Sequence, residues 1–201
     1  MGSARKRSGR GSTVINAFGN YSTAEREHND YYATHPSAVY PLFDVEKFTP
    51  TVLEPACGEG HMARAISECG YEVVSSDIAD RGFGEVSDFF VLRHTPYDII
   101  TNPPYKLQSE FVEHAMEVLR PGGKLALFLK IQFLESAKRR ELFAKYPPAR
   151  IYVFSKRART AKNGDFSSIG SALACFAWFV WERGYAGKPE VDWIEPKEVG
   201  R

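Results

Sequence analysis

The chain has 201 residues, the length of one domain, and 43% of them are hydrophobic, which excludes wholesale disorder. Its 26 Lys+Arg against 25 Asp+Glu leave a formal net charge of +1, so charge alone argues neither for nor against a nucleic-acid partner. No apolar run is long enough to cross a bilayer and no apolar secretory segment opens the chain, so no membrane partner and a cytoplasmic location are expected. Cys57, Cys69 and Cys175 lack paired spacing and read as reduced thiols, not a disulfide framework or zinc site.

Residues 1–20 are rich in Gly, Ser and Arg and predict a basic, disordered tail, followed by a domain over 21–201. Pro36 marks a helix start, with Ala38, Val39, Leu42, Phe43 and Val45 as its apolar face. Residues 51–54 read as a short strand, followed by a glycine-containing turn and a helix over 62–68 that Gly70 closes. Strands are predicted over 72–76 and 97–101, then a helix over 108–119, a Pro121-Gly122-Gly123 turn, a strand over 124–130, a helix over 136–145 and a strand over 151–154. Residues 172–181 are apolar on both faces, as a covered central strand is. Such alternation predicts an α/β fold, with a mostly parallel sheet and helices on both sides. Ligands then bind outside the carboxyl ends of the strands, in the loops after Leu53, Ser76 and Thr101.

The first of these loops reads Glu54-Pro55-Ala56-Cys57-Gly58-Glu59-Gly60. Gly58 and Gly60 permit a tight turn and close backbone approach to a ligand. The third glycine of the dinucleotide fingerprint and the Gly-Lys-Ser/Thr that cradles phosphates are both missing, so a small cofactor without a pyrophosphate fits better. Asp77 ends the second strand, where an acid accepts the ribose hydroxyls of a nucleoside. Asp88-Phe89 offers a carboxylate to an adenine amino group and a ring to its face.

Asn102-Pro103-Pro104-Tyr105 leaves the third strand. Two prolines fix the backbone and remove two donors, which leaves the local carbonyls free as acceptors. The Asn102 amide carbonyl is another acceptor, and Tyr105 presents a flat face. Together they suit an amino group held in a planar, conjugated system. Lys156, Arg157, Arg159 and Lys162 form an acid-free basic cluster in a loop that also carries Gly164 and Phe166. That loop is the candidate for gripping phosphates while Phe166 stacks on a base; a solvated loop is the competing reading. The five histidines show no metal-ligand spacing, and no metal is expected.

Taken in order, EPACGEG, Asp77, Asp88-Phe89 and NPPY resemble the class I S-adenosylmethionine-dependent methyltransferases that modify exocyclic amines. The likeness is greatest to the small DNA adenine-N6 methyltransferases of phages and prophages. Asn29-Asp30-Tyr31-Tyr32-Ala33-Thr34-His35-Pro36 resembles that group's upstream cofactor motif, and Ser155-Lys156-Arg157 and Ala177-Trp178-Phe179-Val180-Trp181-Glu182 resemble its C-terminal part. The resemblance implies a Rossmann-like domain with a seven-stranded sheet, S-adenosyl-L-methionine as cofactor and DNA as partner. Gly58 and Gly60 would bracket the methionine part of the cofactor, with Glu54 and Thr34 near its amino group. Asp77 would hold the ribose and Asp88 and Phe89 the adenine, while Tyr32, Ala56, Cys57, Ile78 and Asn102 complete the contacts. Asn102, Pro103, Pro104 and Tyr105 would form the catalytic set, with Asn102 and the Pro103 carbonyl on the target amine. Transfer would be direct, resting on positioning and electrostatics, and a base in a duplex would be flipped out.

Two departures from the group matter. Thr34-His35-Pro36 stands where relatives often have Thr-Pro or Thr-Pro-Pro, and no segment is long enough for a separate target-recognition domain. Specificity is therefore expected from loops, from a partner subunit or a second copy in a homodimer, or to be low. Methylation of an adenine or guanine amine in RNA, and a catalytically inactive nucleic-acid-binding subunit, stay open as alternatives.

Overall fold

The structure is a computed structural model that describes residues 32–162, 166 and 174–197. The expected tail, Asn29 to Tyr31 of the upstream motif, and Gly164 lie outside these residues. In chain order the elements are β1 (Tyr32–Thr34), α1 (Pro36–Val39), α2 (Leu42–Val45), β2 (Thr51–Glu54), α3 (His61–Glu68), β3 (Glu72–Asp77), β4 (Glu85–Val86), β5 (Asp98–Thr101), α4 (Gln108–Val118), β6 (Lys124–Lys130), α5 (Ala137–Lys145), β7 (Arg150–Phe154), β8 (Thr160–Lys162), β9 (Phe176–Glu182) and β10 (Glu190–Ile194). Eight strands form one sheet in the order β10-β7-β9-β6-β5-β2-β3-β4. Neighbours are parallel except that β9 runs against both β6 and β7. β1 and β8 form a separate antiparallel pair.

The α/β class and the mostly parallel sheet are as the alternation predicts, with eight strands where seven were expected. The helix expected from Pro36 is broken into α1 and α2 at Tyr40-Pro41, and Val45 is left 41% exposed instead of joining the apolar face. The apolar run predicted as a strand over 172–181 is strand only from Phe176, and residues 167–173 lie outside the described ones.

Side chains alternate across the sheet. Val52, Ile100, Ala126, Phe128, Trp178 and Val180 pack against Ala38, Val39, Leu42, Met62 and Ile66 of α1–α3 on one face. Leu53, Ile99, Leu125, Leu127, Phe179 and Trp181 pack against Phe111, Val112, Ala115 and Leu142 of α4 and α5 on the other. The buried indoles are satisfied: Trp178 Nε1 donates to the Ala38 carbonyl at 2.8 Å and Trp181 Nε1 to that of Tyr146 at 3.1 Å.

At the amino-terminal edge of the parallel strands, buried acids are paired. Glu46, 3% exposed, accepts from Lys124 Nζ at 2.6 Å, from Tyr152 Oη at 2.9 Å and from the Arg150 guanidinium. Asp98 accepts from the backbone N–H groups of Thr49 and Lys124, both at 2.9 Å. This polar belt ties β5, β6 and β7 together below the core. The opposite, carboxyl edge is left to the loops.

Candidate active site

β2 and β5 are parallel neighbours at the centre of the sheet, yet the chain leaves them in opposite directions: through α3 to β3 on one side, through α4 to β6 on the other. The loops beyond their carboxyl ends therefore part, and a cleft of about 350 Å³ opens between them.

The glycine turn forms one wall. Cys57 N–H donates to the Ser76 carbonyl at 3.0 Å, and Gly58 N–H donates to Asp77 Oδ2 at 2.8 Å. Asp77 Oδ1 accepts from Ala79 N–H at 2.9 Å. Each carboxylate oxygen thus holds one backbone donor, with further lone pairs left for a ligand. Gly60 has a φ of 79°, and a Cβ there would lie 2.5 Å from the Phe83 ring. The close approach that makes this position glycine is to Phe83 within the protein. Cys57 is buried, and burial, with Glu54 and Asp77 adding to it, pushes its thiol up to about 12, so it stays protonated and inert.

Glu54 lines the cleft floor at 2% exposure, and its Oε2 has no partner. Burial, reinforced by Asp77, holds its carboxyl well above the usual carboxylate range. A buried acid with an open oxygen fits a site that receives a positively charged donor.

On the same wall Asp88 Oδ1 accepts from Phe90 N–H at 2.9 Å. The Phe89 ring is buried against Phe111 at 4.8 Å and edge-on to His114 at 4.8 Å. Ile78 borders the cleft and is 64% exposed.

The other wall is the Asn102 loop. Asn102 Nδ2 donates to the Tyr32 carbonyl at 2.8 Å and to Thr34 Oγ1 at 3.1 Å. A backbone carbonyl can only accept, so the atom facing it must be the amide nitrogen. Both amide hydrogens are then used by β1, and Oδ1 remains as an acceptor. The Pro104 carbonyl accepts from Leu107 N–H at 2.9 Å, whereas no backbone hydrogen bond among the described residues uses that of Pro103. Tyr105 packs on Tyr32 with ring centroids 5.1 Å apart, and Lys130 Nζ sits 4.1 Å from its centroid.

Of the residues singled out from sequence, Tyr32, Thr34, Glu54, Ala56, Cys57, Asp77, Ile78, Asp88, Phe89 and the Asn102–Tyr105 tetrapeptide all border this one cleft. Gly58 and Gly60, expected to bracket the cofactor, do not border the cleft: Gly58 N–H is bound to Asp77 and Gly60 abuts Phe83. The basic loop is placed differently, since none of Lys156, Arg157, Arg159 and Phe166 borders the cleft, and the side chain of Lys162 lies outside what the structure describes. Lys156 Nζ pairs with Glu195 at 2.7 Å and Arg157 Nη1 donates to Cys175 Sγ at 2.9 Å. The Arg159 carbonyl accepts from His35 N–H at 3.1 Å, where the loop pairs with β1. Phe166 meets His35 and His61 edge-on, at 5.0 and 5.2 Å. Sequence reasoning missed His61, Arg81, Phe90 and Phe111 in the lining. His61 and Phe90 directly follow motif residues, which is a usable signal. Phe111 belongs to the core stripe of α4 and carries none.

No helix among the described residues is long and apolar enough to cross a membrane, and no His, Cys, Asp and Glu group among them could hold a metal ion. No protein-family model and no curated protein matches the sequence. The fold, however, is that of the class I methyltransferases. A Listeria monocytogenes protein assigned to the class I S-adenosylmethionine-dependent methyltransferases superposes with a TM-score of 0.57 at 15% identity, covering 84% of this chain and 67% of that one. A protein assigned as the modification subunit of a type I restriction enzyme from Vibrio vulnificus gives 0.53 at 15% identity; the match covers 89% of this chain but 49% of that one. A protein assigned as an RNA methyltransferase from Pyrococcus horikoshii gives 0.50 at 11% identity, covering 73% and 81%.

Proposed function

We propose that this chain is an S-adenosyl-L-methionine-dependent methyltransferase that modifies the exocyclic N6 amine of adenine in DNA. The observation that carries the reading is the fixed amide of Asn102. With both hydrogens of Nδ2 held by Tyr32 and Thr34, its Oδ1 accepts one hydrogen of an incoming amine, and the unused Pro103 carbonyl accepts the other. Two acceptors on one amine disfavour delocalisation of the nitrogen lone pair into the ring. They also reject a keto group, which brings no hydrogens. Tyr105, braced by Tyr32 and Lys130, gives the base a face to lie on.

The residues on the β2–β3 side fit the cofactor. The open oxygen of Glu54 suits an ammonium, the spare lone pairs of Asp77 suit ribose hydroxyls, and Asp88, Ile78 and Phe89 suit an adenine. When bound, S-adenosyl-L-methionine would supply a methyl group activated on a sulfonium. The protein's share is orientation of the two partners and exclusion of competing acceptors.

A tritium-transfer assay with DNA, RNA and protein pools tests this. Label is expected in DNA, recovered as N6-methyladenine. Label confined to protein overturns the reading, and label confined to RNA replaces DNA by RNA as the substrate.

A further inference from the structure

A second concavity adjoins the cleft. Strands β5 and β6 are parallel neighbours, so the segments that follow them, 102–108 and 131–137, emerge at the same edge of the sheet. Between these segments lies a groove of about 450 Å³. Tyr105 and Lys106 line both spaces and form the partition between them. The groove is on the side of the tetrapeptide away from Asp77 and Asp88.

Its chemistry is unlike that of the cleft. Gln108 is 6% exposed, lines the groove, and none of the hydrogen bonds among the described residues uses its side-chain amide. Its amide is open to the groove, where it offers a ligand a donor and an acceptor that no group among the described residues uses. The amino termini of α4 and α5 both open here, and they favour negative charge. Lys106, Lys138 and Arg139 add cations, and Arg139 is held stiffly, with Nη1 donating to the Gln132 carbonyl at 2.9 Å and its guanidinium 4.4 Å from the Phe133 centroid. Glu110 and Glu135 also border the groove, as acceptors for amino groups. Cations that suit a phosphate, beside an amide and carboxylates that suit the donors and acceptors of a base edge, match the chemistry of a nucleotide.

We infer that this groove seats the nucleotide next to the methylated one, with Lys106, Lys138 and Arg139 on its phosphate and Gln108 on its base edge. The inference rests on the proposed methylation of DNA and adds where neighbouring sequence is read in a chain whose basic loop stands off the cleft.

The test uses the full chain and single-stranded oligodeoxynucleotides with one adenine. In the first arm, 5-iodouracil replaces the base on either side of the adenine, and photocrosslinked peptides are identified by mass spectrometry. Crosslinks are expected within 105–110 or 132–139. In the second, Lys138→Glu should raise KM for the oligonucleotide about tenfold, with cofactor affinity unchanged and a salt dependence shallower by about one phosphate contact. Gln108→Leu should change the ratio of kcat/KM between flanking bases about tenfold. Because Gln108 is buried, a loss of fold in that variant leaves the crosslinks and Lys138→Glu to decide. Methylation with crosslinks only elsewhere and an unchanged KM overturns the groove while leaving the proposed function standing. A wild-type chain that methylates no nucleic acid overturns both.

Discussion

Asn102 Nδ2 lies 3.1 Å from the Thr34 hydroxyl, which makes β1 part of the machinery that aims the amide. Thr34 is 2% exposed, and from sequence it was expected beside the cofactor. In the structure its hydroxyl is an acceptor for Asn102. Thr34→Val keeps the shape and removes the acceptor, so the amide is held by Tyr32 alone. The expected result is a fall in kcat of about tenfold, the worth of one hydrogen bond, with cofactor affinity nearly unchanged. Thr34→Ser should restore kcat. A weakened cofactor affinity with normal kcat would instead place Thr34 on the cofactor.

Asn102→Ala should abolish transfer and leave cofactor binding largely intact, because the acceptor for the amine is lost while Glu54, Asp77 and Asp88 stay in place. Single-turnover transfer and isothermal titration separate the two effects. Near-normal turnover in this variant contradicts the amine-positioning role.

Asp77 has two duties that one substitution should expose together. Its oxygens cap the N–H groups of Gly58 and Ala79, and their remaining lone pairs face the cleft. Asp77→Ala should lower unfolding stability by about 1–3 kcal/mol, since two backbone donors lose their acceptor, and should weaken cofactor binding by more than tenfold, on the order of two lost charged hydrogen bonds. Thermal unfolding with and without cofactor measures both. An unaltered melting temperature without cofactor argues against the capping role.

The parts legible in the sequence share a cause. Residues 51–54 and 124–130 announce themselves because a covered parallel strand is a short apolar run, and Gly58, Asp77 and Asn102 because a strand end followed by a turn residue marks the functional edge of such a sheet. β10 was missed because Glu190-Val191-Asp192-Trp193 reads as exposed surface, and most of it is exposed; its pairing with β7 is a long-range fact that local pattern does not carry. The β1–β8 pair was missed for the same reason, although it holds Asn102 in register. Basic residues over 156–162 suggested a phosphate grip. Spacing alone could not show that Lys156 is paired with Glu195 or that Thr160–Lys162 is strand.

Glu46 predicts a stability that depends on pH without involving the cleft. Burial would raise its carboxyl, but hydrogen bonds from Arg150, Lys124 and Tyr152 outweigh that and hold it below the usual range. An acid lowered in the fold contributes stability that is present above its unfolded pKa and lost as pH falls through the folded value. Glu46→Ala should therefore cost about 3 kcal/mol at neutral pH, because it leaves Lys124 and Arg150 near the core without their partner, and less in acid. Urea unfolding at both pH values measures this. The folded fraction should keep its kcat, since Glu46 lies at the far edge of the sheet.

Glu54 predicts the opposite sign. Its carboxyl is raised, by burial first and Asp77 second. The unliganded fold therefore gains stability from this group below the unfolded pKa and loses it as pH rises through the folded one. A cationic ligand needs the carboxylate, so binding in the range where Glu54 is protonated must release a proton. Cofactor affinity should rise with pH up to the folded pKa and level off above it. Isothermal titration in buffers of different ionisation enthalpy should show an apparent enthalpy that follows the buffer. Glu54→Gln should bind weakly at every pH, with no buffer dependence, and should not lose stability as pH rises. A wild-type affinity that does not change with pH, with no proton released, would mean that the open oxygen of Glu54 does not face the ligand's charge.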